Sequence, residues 1–266
     1  MKILIIGDVF SKSGRKAIAN ELPQLIKKEK IDFTIANVEN CTHGRSINLR
    51  HYLYLKSLGV NFFTFGNHTW EQEQIYDILN QEDTVRPLNI KSDHVYSKYG
   101  VGSRVVEIKK RKIRITNLLG SSVNMKNIQS NPFLCLDRFL VDHKKELAKE
   151  IHIIDLHANA TSEKNAFICA YKNKVSAIVG THTHVQTADE RIVGKTAYIT
   201  DIGMTGPHEG VIGTDPTTVL EMYRGQRVNF KLDPLEGKYQ FCAVLLTFKS
   251  DSIYPNKIKR IYLVQK

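Results

Sequence analysis

Lys2-Ile3-Leu4-Ile5-Ile6 is apolar at every position after the first. A strand with one wet face alternates apolar and polar side chains, so an unbroken apolar run requires cover on both faces of its sheet. Phe33-Thr34-Ile35-Ala36-Asn37-Val38, Asn61–Phe65, Ile151-His152-Ile153-Ile154-Asp155, Val175–Val179 and Ala197–Ile202 are further short strand-like runs. Helical patterns separate the first of them. Ser13 to Lys28 places Ala17, Ile18, Leu22, Leu25 and Ile26 on one face, with Pro23 expected to kink or divide the helix. Asn48 to Leu58 is a second helix, stopped by Gly59 where glycine is favoured after a C-cap. The first 65 residues therefore read β-α-β-α-β, a parallel α/β arrangement with right-handed crossovers.

Further along, Glu71–Leu79 and Thr161–Tyr171 are expected to be helical, and Arg86-Pro87-Leu88-Asn89 to be a loop. Gly100–Asn117 is expected as a hairpin turning at Lys109-Lys110-Arg111-Lys112, and Ser121–Asp137 as a surface excursion broken by Pro132. An amphipathic helix is expected over Asp137–Glu150. Arg227–Lys231, Tyr239–Phe248 and Ile258–Val264 alternate, which suits a second, mostly antiparallel sheet packed on the first.

The chain shows no repeat, linker or low-complexity segment, so residues 1–266 are expected to form one domain. A formal net charge of +11 favours anionic partners. The basic residues are dispersed apart from the hairpin turn, which gives only weak support to RNA binding. Cys41, Cys135, Cys169 and Cys242 show no metal-ligand spacing, and no apolar run approaches the roughly 18 residues needed to span a bilayer. With no signal-peptide pattern, a cytoplasmic protein with reduced thiols and no membrane partner is expected.

The strand ends carry the chemistry. Asp8, Glu39, Asn40, Asn67, His68, His157, His182 and His184 each follow or end a strand-like run. In open α/β sheets ligands bind at the carboxyl edge, so these residues converge if the strands lie side by side. A lone Asp after a strand is more often a helix cap, and a lone His more often structural. His43, His51, His94, His143 and His152 fit that description, and His208 is given no role. Taken together, the oxygen and nitrogen donors suit divalent iron, manganese or zinc, and the number of ligands leaves room for a second ion.

Gly66-Asn67-His68 and Gly180-Thr181-His182-Thr183-His184 resemble motifs of the calcineurin-like metallophosphoesterases. Ile6-Gly7-Asp8-Val9, Asn37-Val38-Glu39-Asn40, Asp155-Leu156-His157-Ala158, Ala160-Thr161-Ser162-Glu163-Lys164 and Asp201–Pro207 narrow the likeness to the YmdB-type branch, as does the fuller Gly66-Asn67-His68-Thr69-Trp70. Phe10 stands where the wider superfamily has a histidine, and Glu39 where it has a bridging aspartate; both follow the branch. Asn159 and His208-Glu209-Gly210 depart from the branch and bear on substrate detail.

The resemblance implies a four-layer α/β sandwich of two mixed sheets flanked by helices. It implies two divalent metal ions, iron or manganese before zinc or magnesium. One would be held by Asp8, Glu39, Asn40 and His184, the other by Glu39, Asn67, His157 and His182, with Glu39 bridging. His68 would act as general acid or stabilise charge, and Asn40 and His68 would contact substrate. The implied activity is phosphodiester hydrolysis, with cyclic nucleotides such as 2′,3′-cyclic AMP as small-molecule substrates. The alternatives are a phosphomonoesterase for nucleotides or phosphoproteins, a metal-dependent hydrolase of carboxyl or amide substrates, and an RNA-binding regulator with a vestigial metal site. A homo-oligomer is compatible with all of these.

Overall fold

The computed structural model describes residues 1–123, 125, 127–226 and 233–266. In chain order the first elements are β1 (Lys2–Ile6), β2 (Asp8–Val9), α1 (Ser11–Glu29), β3 (Phe33–Asn37), α2 (Leu49–Ser57), β4 (Phe62–Thr64) and α3 (Ile75–Leu79). The middle holds β5 (Ser103–Ile108), β6 (Arg111–Leu119), α4 (Pro132–Asp142), α5 (Lys144–Leu147), β7 (Ile151–His157), α6 (Thr161–Tyr171) and β8 (Ala177–Thr181). Then come β9 (Arg191–Val193), β10 (Thr196–Ile199), β11 (Met204–Pro207), α7 (Pro216–Tyr223), β12 (Tyr239–Phe248) and β13 (Pro255–Val264).

Two mixed sheets result. One runs β2-β11-β12-β1-β3-β4 with β13 paired to β12; the other runs β5-β6-β7-β8-β10-β9. The unbroken run of β1 finds cover on both sides, as its sequence demands. Ile3 and Ile5 point between the sheets, against Ile113, Ile115, Ile153 and Val179 of the second sheet. Leu4 and Ile6 point outward onto Ala17, Ile18 and Leu22 of α1 and Leu55 of α2. The second sheet turns Ile154, Leu156 and Ile178 outward onto Leu136 of α4 and Phe167 and Ile168 of α6. The layers are therefore helix, sheet, sheet, helix. Among the described residues, no helix is long and apolar enough to cross a membrane.

Several expectations are corrected. The strand ends do not all lie side by side in one sheet: Asp8 and Glu39 follow strands of the first, while His157 and His182 belong to the second. The carboxyl-terminal strands do not make a separate sheet. β12 pairs antiparallel with β1 (Ile5 opposite Val244) inside the first sheet, because nearly all of Tyr239–Phe248 is buried and takes a central place. β13, paired at its edge, keeps an exposed face. The helix expected from Asp137 begins at Pro132, where the Asn131 side chain accepts from the Phe133 and Leu134 amides and proline fits the first turn without needing a donor. It ends at Asp142, and Lys144–Leu147 forms a separate short helix. The helix expected at Glu71 forms only from Ile75. Pro23 lies inside α1, which is not divided. The expected strand Arg227–Lys231 lies outside the described residues.

Candidate metal centre

Strand parity explains how the site forms. Ile151 and Ile153 of β7 point into the intersheet core, so Asp155 and His157 point the same way two and four residues later. At this end of the sandwich the inward positions turn polar. Asn37 of β3, Thr64 of β4 and Thr181 of β8 all donate to the Asp155 carboxylate, at 3.0, 2.6 and 2.7 Å. One buried carboxylate thus ties both sheets together beside the ligand residues.

Glu39, Asn67, His157 and His182 meet here. His157 Nε2 lies 3.0 Å from Glu39 Oε1, 3.1 Å from Asn67 Oδ1 and 2.9 Å from His182 Nδ1. Among the described residues, ligand atoms of Glu39, His157 and His182 all lie within 4.8 Å of one another. Asp8 and His184 flank this group. Asp8 Oδ2 accepts the His182 amide at 3.1 Å, while its Oδ1 is buried with no hydrogen-bond partner. Asn40 donates through Nδ2 to the Gly44 carbonyl, which turns its Oδ1 toward His184 Nε2 at 3.2 Å. His68 sits at the rim, its amide donating to Glu39 Oε2 at 3.1 Å and its Nδ1 2.5 Å from Glu71 Oε1.

The far nitrogens of two histidines are fixed. Thr181 gives its hydroxyl proton to Asp155, so it accepts from His157 Nδ1 at 2.9 Å. The Ile212 carbonyl can only accept, so His184 Nδ1 donates to it at 2.9 Å. Both leave Nε2 directed at the oxygen donors, the arrangement that orients a metal-ligating histidine. Gly66 makes the approach of Glu39 and His157 feasible: a Cβ there would stand 2.2 Å from Glu39 Oε2 and 2.5 Å from His157 Nε2.

The electrostatics match a site built around positive charge. Burial, reinforced by Glu39 and Asp201 against the pull of His157, holds the Asp8 carboxyl up to about 8. Burial opposes charge on His157, yet Glu39 and Asp8 outweigh it and hold the imidazole up to about 9. Burial likewise works against the Glu39 carboxylate, but His157 overrides it and Glu39 falls to about 2. A proton on His157 thus balances the carboxylates in the metal-free protein. Burial takes His182 down to about 3 and lowers His184, leaving both as the neutral imidazoles that a cation requires. The orphaned Asp8 oxygen, the oriented histidines and the oxygen–nitrogen donor set all fit divalent cations of the iron, manganese or zinc kind.

The turn carrying the two histidines is held from beneath. His182 and His184 take φ of 100° and 64°, a region that non-glycine residues seldom enter. Asp201 accepts the Thr183 amide at 3.1 Å, and buried Lys164 donates to Asp201 at 2.7 Å and to the Thr181 carbonyl at 2.8 Å. Lys164, Asp201, Thr181 and Glu71 had no assigned role from sequence. Their one signal in the sequence is that Lys164, Thr181 and Asp201 lie in the quoted motifs. His152 is buried against Thr116, and His208 lines a neighbouring recess with Gln240 and Tyr262, which His184 and Ile212 also line.

Two mixed sheets between helices, with carboxylates, amides and imidazoles gathered at one end of the intersheet core, define the metallo-dependent phosphatase fold. A solved structure described as a novel phosphatase from Mycoplasma pneumoniae superposes with a TM-score of 0.94 at 40% identity, covering 99% of this chain and 93% of that one. The chain belongs to the YmdB-like protein family, whose pattern it matches over residues 4–261. It is 46% identical over 87% of its length to a Mycoplasma pneumoniae protein provisionally named a phosphatase/phosphodiesterase, covering 83% of that protein. It is 36% identical over 99% of its length to the 2′,3′-cyclic-nucleotide 2′-phosphodiesterase of Bacillus subtilis, covering 97% of that protein. A Candida albicans 5′-nucleotidase shares the fold alone, at 10% identity and a TM-score of 0.54.

Proposed function

We propose that this chain is a phosphodiesterase dependent on two divalent cations, and that it hydrolyses cyclic nucleotides such as 2′,3′-cyclic AMP. The observation that carries the reading is the contact of buried Glu39 and His157 with half-buried Asn67 and His182 in one group. The name of the Bacillus subtilis relative supports the substrate class. Residues 1–266 act as one catalytic domain in this reading, because each sheet supplies part of the ligand set.

Asp8, Glu39, Asn40 and His184 would hold one cation and Glu39, Asn67, His157 and His182 the other, iron or manganese ahead of zinc or magnesium. When bound, such a pair neutralises phosphoryl charge and makes water acidic enough to attack near neutral pH. Glu39 shares its carboxylate between the two halves of the site, and the amides of Asn40 and Asn67 contribute oxygen without further negative charge. Asp155 and Thr181 keep His157 in one tautomer. His68 and Asn40 face the cleft, where His68 supplies a proton or positive charge to the departing oxygen. The unpaired cysteines accord with a cytoplasmic setting.

The test is metal analysis together with turnover of 2′,3′-cyclic AMP, comparing wild type with Asn67→Ala. Bound metal and turnover in the wild type, both reduced in the variant, are expected. A wild type that binds no metal and hydrolyses neither diester nor monoester would overturn the enzyme reading.

A further inference from the structure

The cleft above the ligand group has a chemically mixed lining. It encloses about 350 Å³, and beside Glu39, His182 and His184 it is lined by Phe10, Val211, Ile212, Val219, Met222 and Tyr223. This is the size range of small-molecule sites, which are mostly apolar with a few convergent polar groups. Three of the apolar residues have no part in folding the core. Tyr223 is 81% exposed, Ile212 54% and Met222 43%, and among the described residues none of them packs into a hydrophobic cluster.

Ile212 carries a second mark. Its φ is 46°, a conformation in which a β-branched residue is an outlier. Its carbonyl accepts from His184 at 2.9 Å, while its side chain lines the cleft. Backbone strain of this kind persists where the surroundings enforce it, and it concentrates at ligand sites. Here one strained residue joins a metal-ligand candidate to the apolar lining.

We propose that Tyr223, flanked by Met222 and Ile212, is a platform for the nucleobase of the substrate. The proposal rests on reading the ligand group as a phosphodiesterase site. A phosphate held there leaves the rest of its ester within the same cleft. A small polar alcohol gains nothing from an apolar lining, whereas every base offers a flat face that stacks on an aromatic ring. Thr183, Thr214 and Asn159 also line the cleft and offer hydrogen bonds to the polar edge of a base or to ribose. The ligand class is a nucleoside 2′,3′-cyclic phosphate, recognised at both its ring phosphate and its base.

The experiment compares 2′,3′-cyclic AMP with ethylene phosphate, a five-membered cyclic diester that has neither ribose nor base. In Tyr223→Ala the ratio of kcat/KM for the nucleotide over ethylene phosphate should fall roughly tenfold to hundredfold. Tyr223→Phe should restore it. An Ala variant in which both substrates fall together, or in which the ratio is unchanged, overturns the platform. So does an Ala variant that alters only the sedimentation of the protein, since this face would then cover a second copy. Adenosine binding, followed by calorimetry without any phosphate, separates this proposal from the enzyme reading. The wild type should bind adenosine and Tyr223→Ala should lose it, whether or not turnover is found. No binding by the wild type at millimolar adenosine overturns the proposal.

Discussion

Lys164 Nζ lies 2.7 Å from Asp201 Oδ2, and both side chains are buried. The pair joins α6 to the segment after β10, and the turn bearing His182 and His184 runs between them. Asp201 takes the amides of Thr183 and Gly203, at 3.1 and 2.8 Å, and Lys164 takes the carbonyl of Thr181 at 2.8 Å. A turn with two non-glycine residues in left-handed conformations is thereby fixed from both ends.

Replacing Lys164 with methionine keeps the volume but leaves the Asp201 carboxylate buried without its partner. Breaking such a pair typically costs about 3–5 kcal/mol. The expected result is a denaturation midpoint well below that of the wild type, with reduced metal retention after desalting. Adding Asp201→Asn should recover part of the stability. If Lys164→Met unfolds like the wild type, the buried pair does not support the turn.

Gly66→Ala tests the closeness of Glu39 and His157 directly. The added methyl would stand 2.2 Å from one and 2.5 Å from the other, so one ligand candidate must move. A loss of about 10–100-fold in metal affinity is expected, comparable to disturbing the groups that orient ligands. Titration with manganese followed by calorimetry reads it. Unchanged affinity would place the binding site elsewhere.

The legible and hidden parts of the molecule divide along physical lines. The amino-terminal β-α-β-α-β half was legible because apolar runs and helical spacing are local signals. The ligand candidates were legible because they sit at strand ends. That Glu39 meets His157 across an intersheet gap was carried by the family likeness, since no local pattern says which sheet a strand joins. The place of β12 is hidden for the same reason: the unbroken run Phe241–Leu246 is fully buried and only Gln240 and Thr247 are half-buried, which marks a central strand but not the sheet it joins. Lys164 stayed hidden because a lysine in a helix is ordinarily solvated, and only the structure shows it reaching Asp201. Asn131 and Pro132 were a readable helix start, and the correct boundary was available in those two residues.

The metal-free protein should lose stability on the alkaline side. His157 rises from 6.5 to about 9 on folding, so its contribution is complete below pH 6.5 and is lost as pH climbs through 9. Asp8 rises from 3.8 to about 8, so the folded state is also penalised as pH rises through that range. Glu39 works in the opposite sense: it falls from 4.5 to about 2, and its contribution, present above pH 4.5, fades only as pH drops through 2. Urea unfolding in chelator at pH 6 and pH 9 should differ by an amount on the order of 3 kcal/mol. Manganese should narrow the difference, because a cation takes over the role of the proton. Equal stability at both pH values without metal would mean that His157 does not carry that proton.

His68 and Glu71 provide the sharpest separation of chemistry from metal holding. The His68 amide donates to Glu39, but its ring is turned to the cleft rim and paired with Glu71. His68→Ala should therefore keep its metal while kcat falls by about 10²–10⁴, the usual worth of a positioned acid or base. Glu71→Gln leaves the imidazole present but weakens its anchor, so a smaller fall in kcat is expected. Metal analysis of both variants alongside 2′,3′-cyclic AMP turnover decides the matter. A His68→Ala protein that loses its metal in proportion to its activity would make His68 part of the cage and leave the departing oxygen without a partner from this chain.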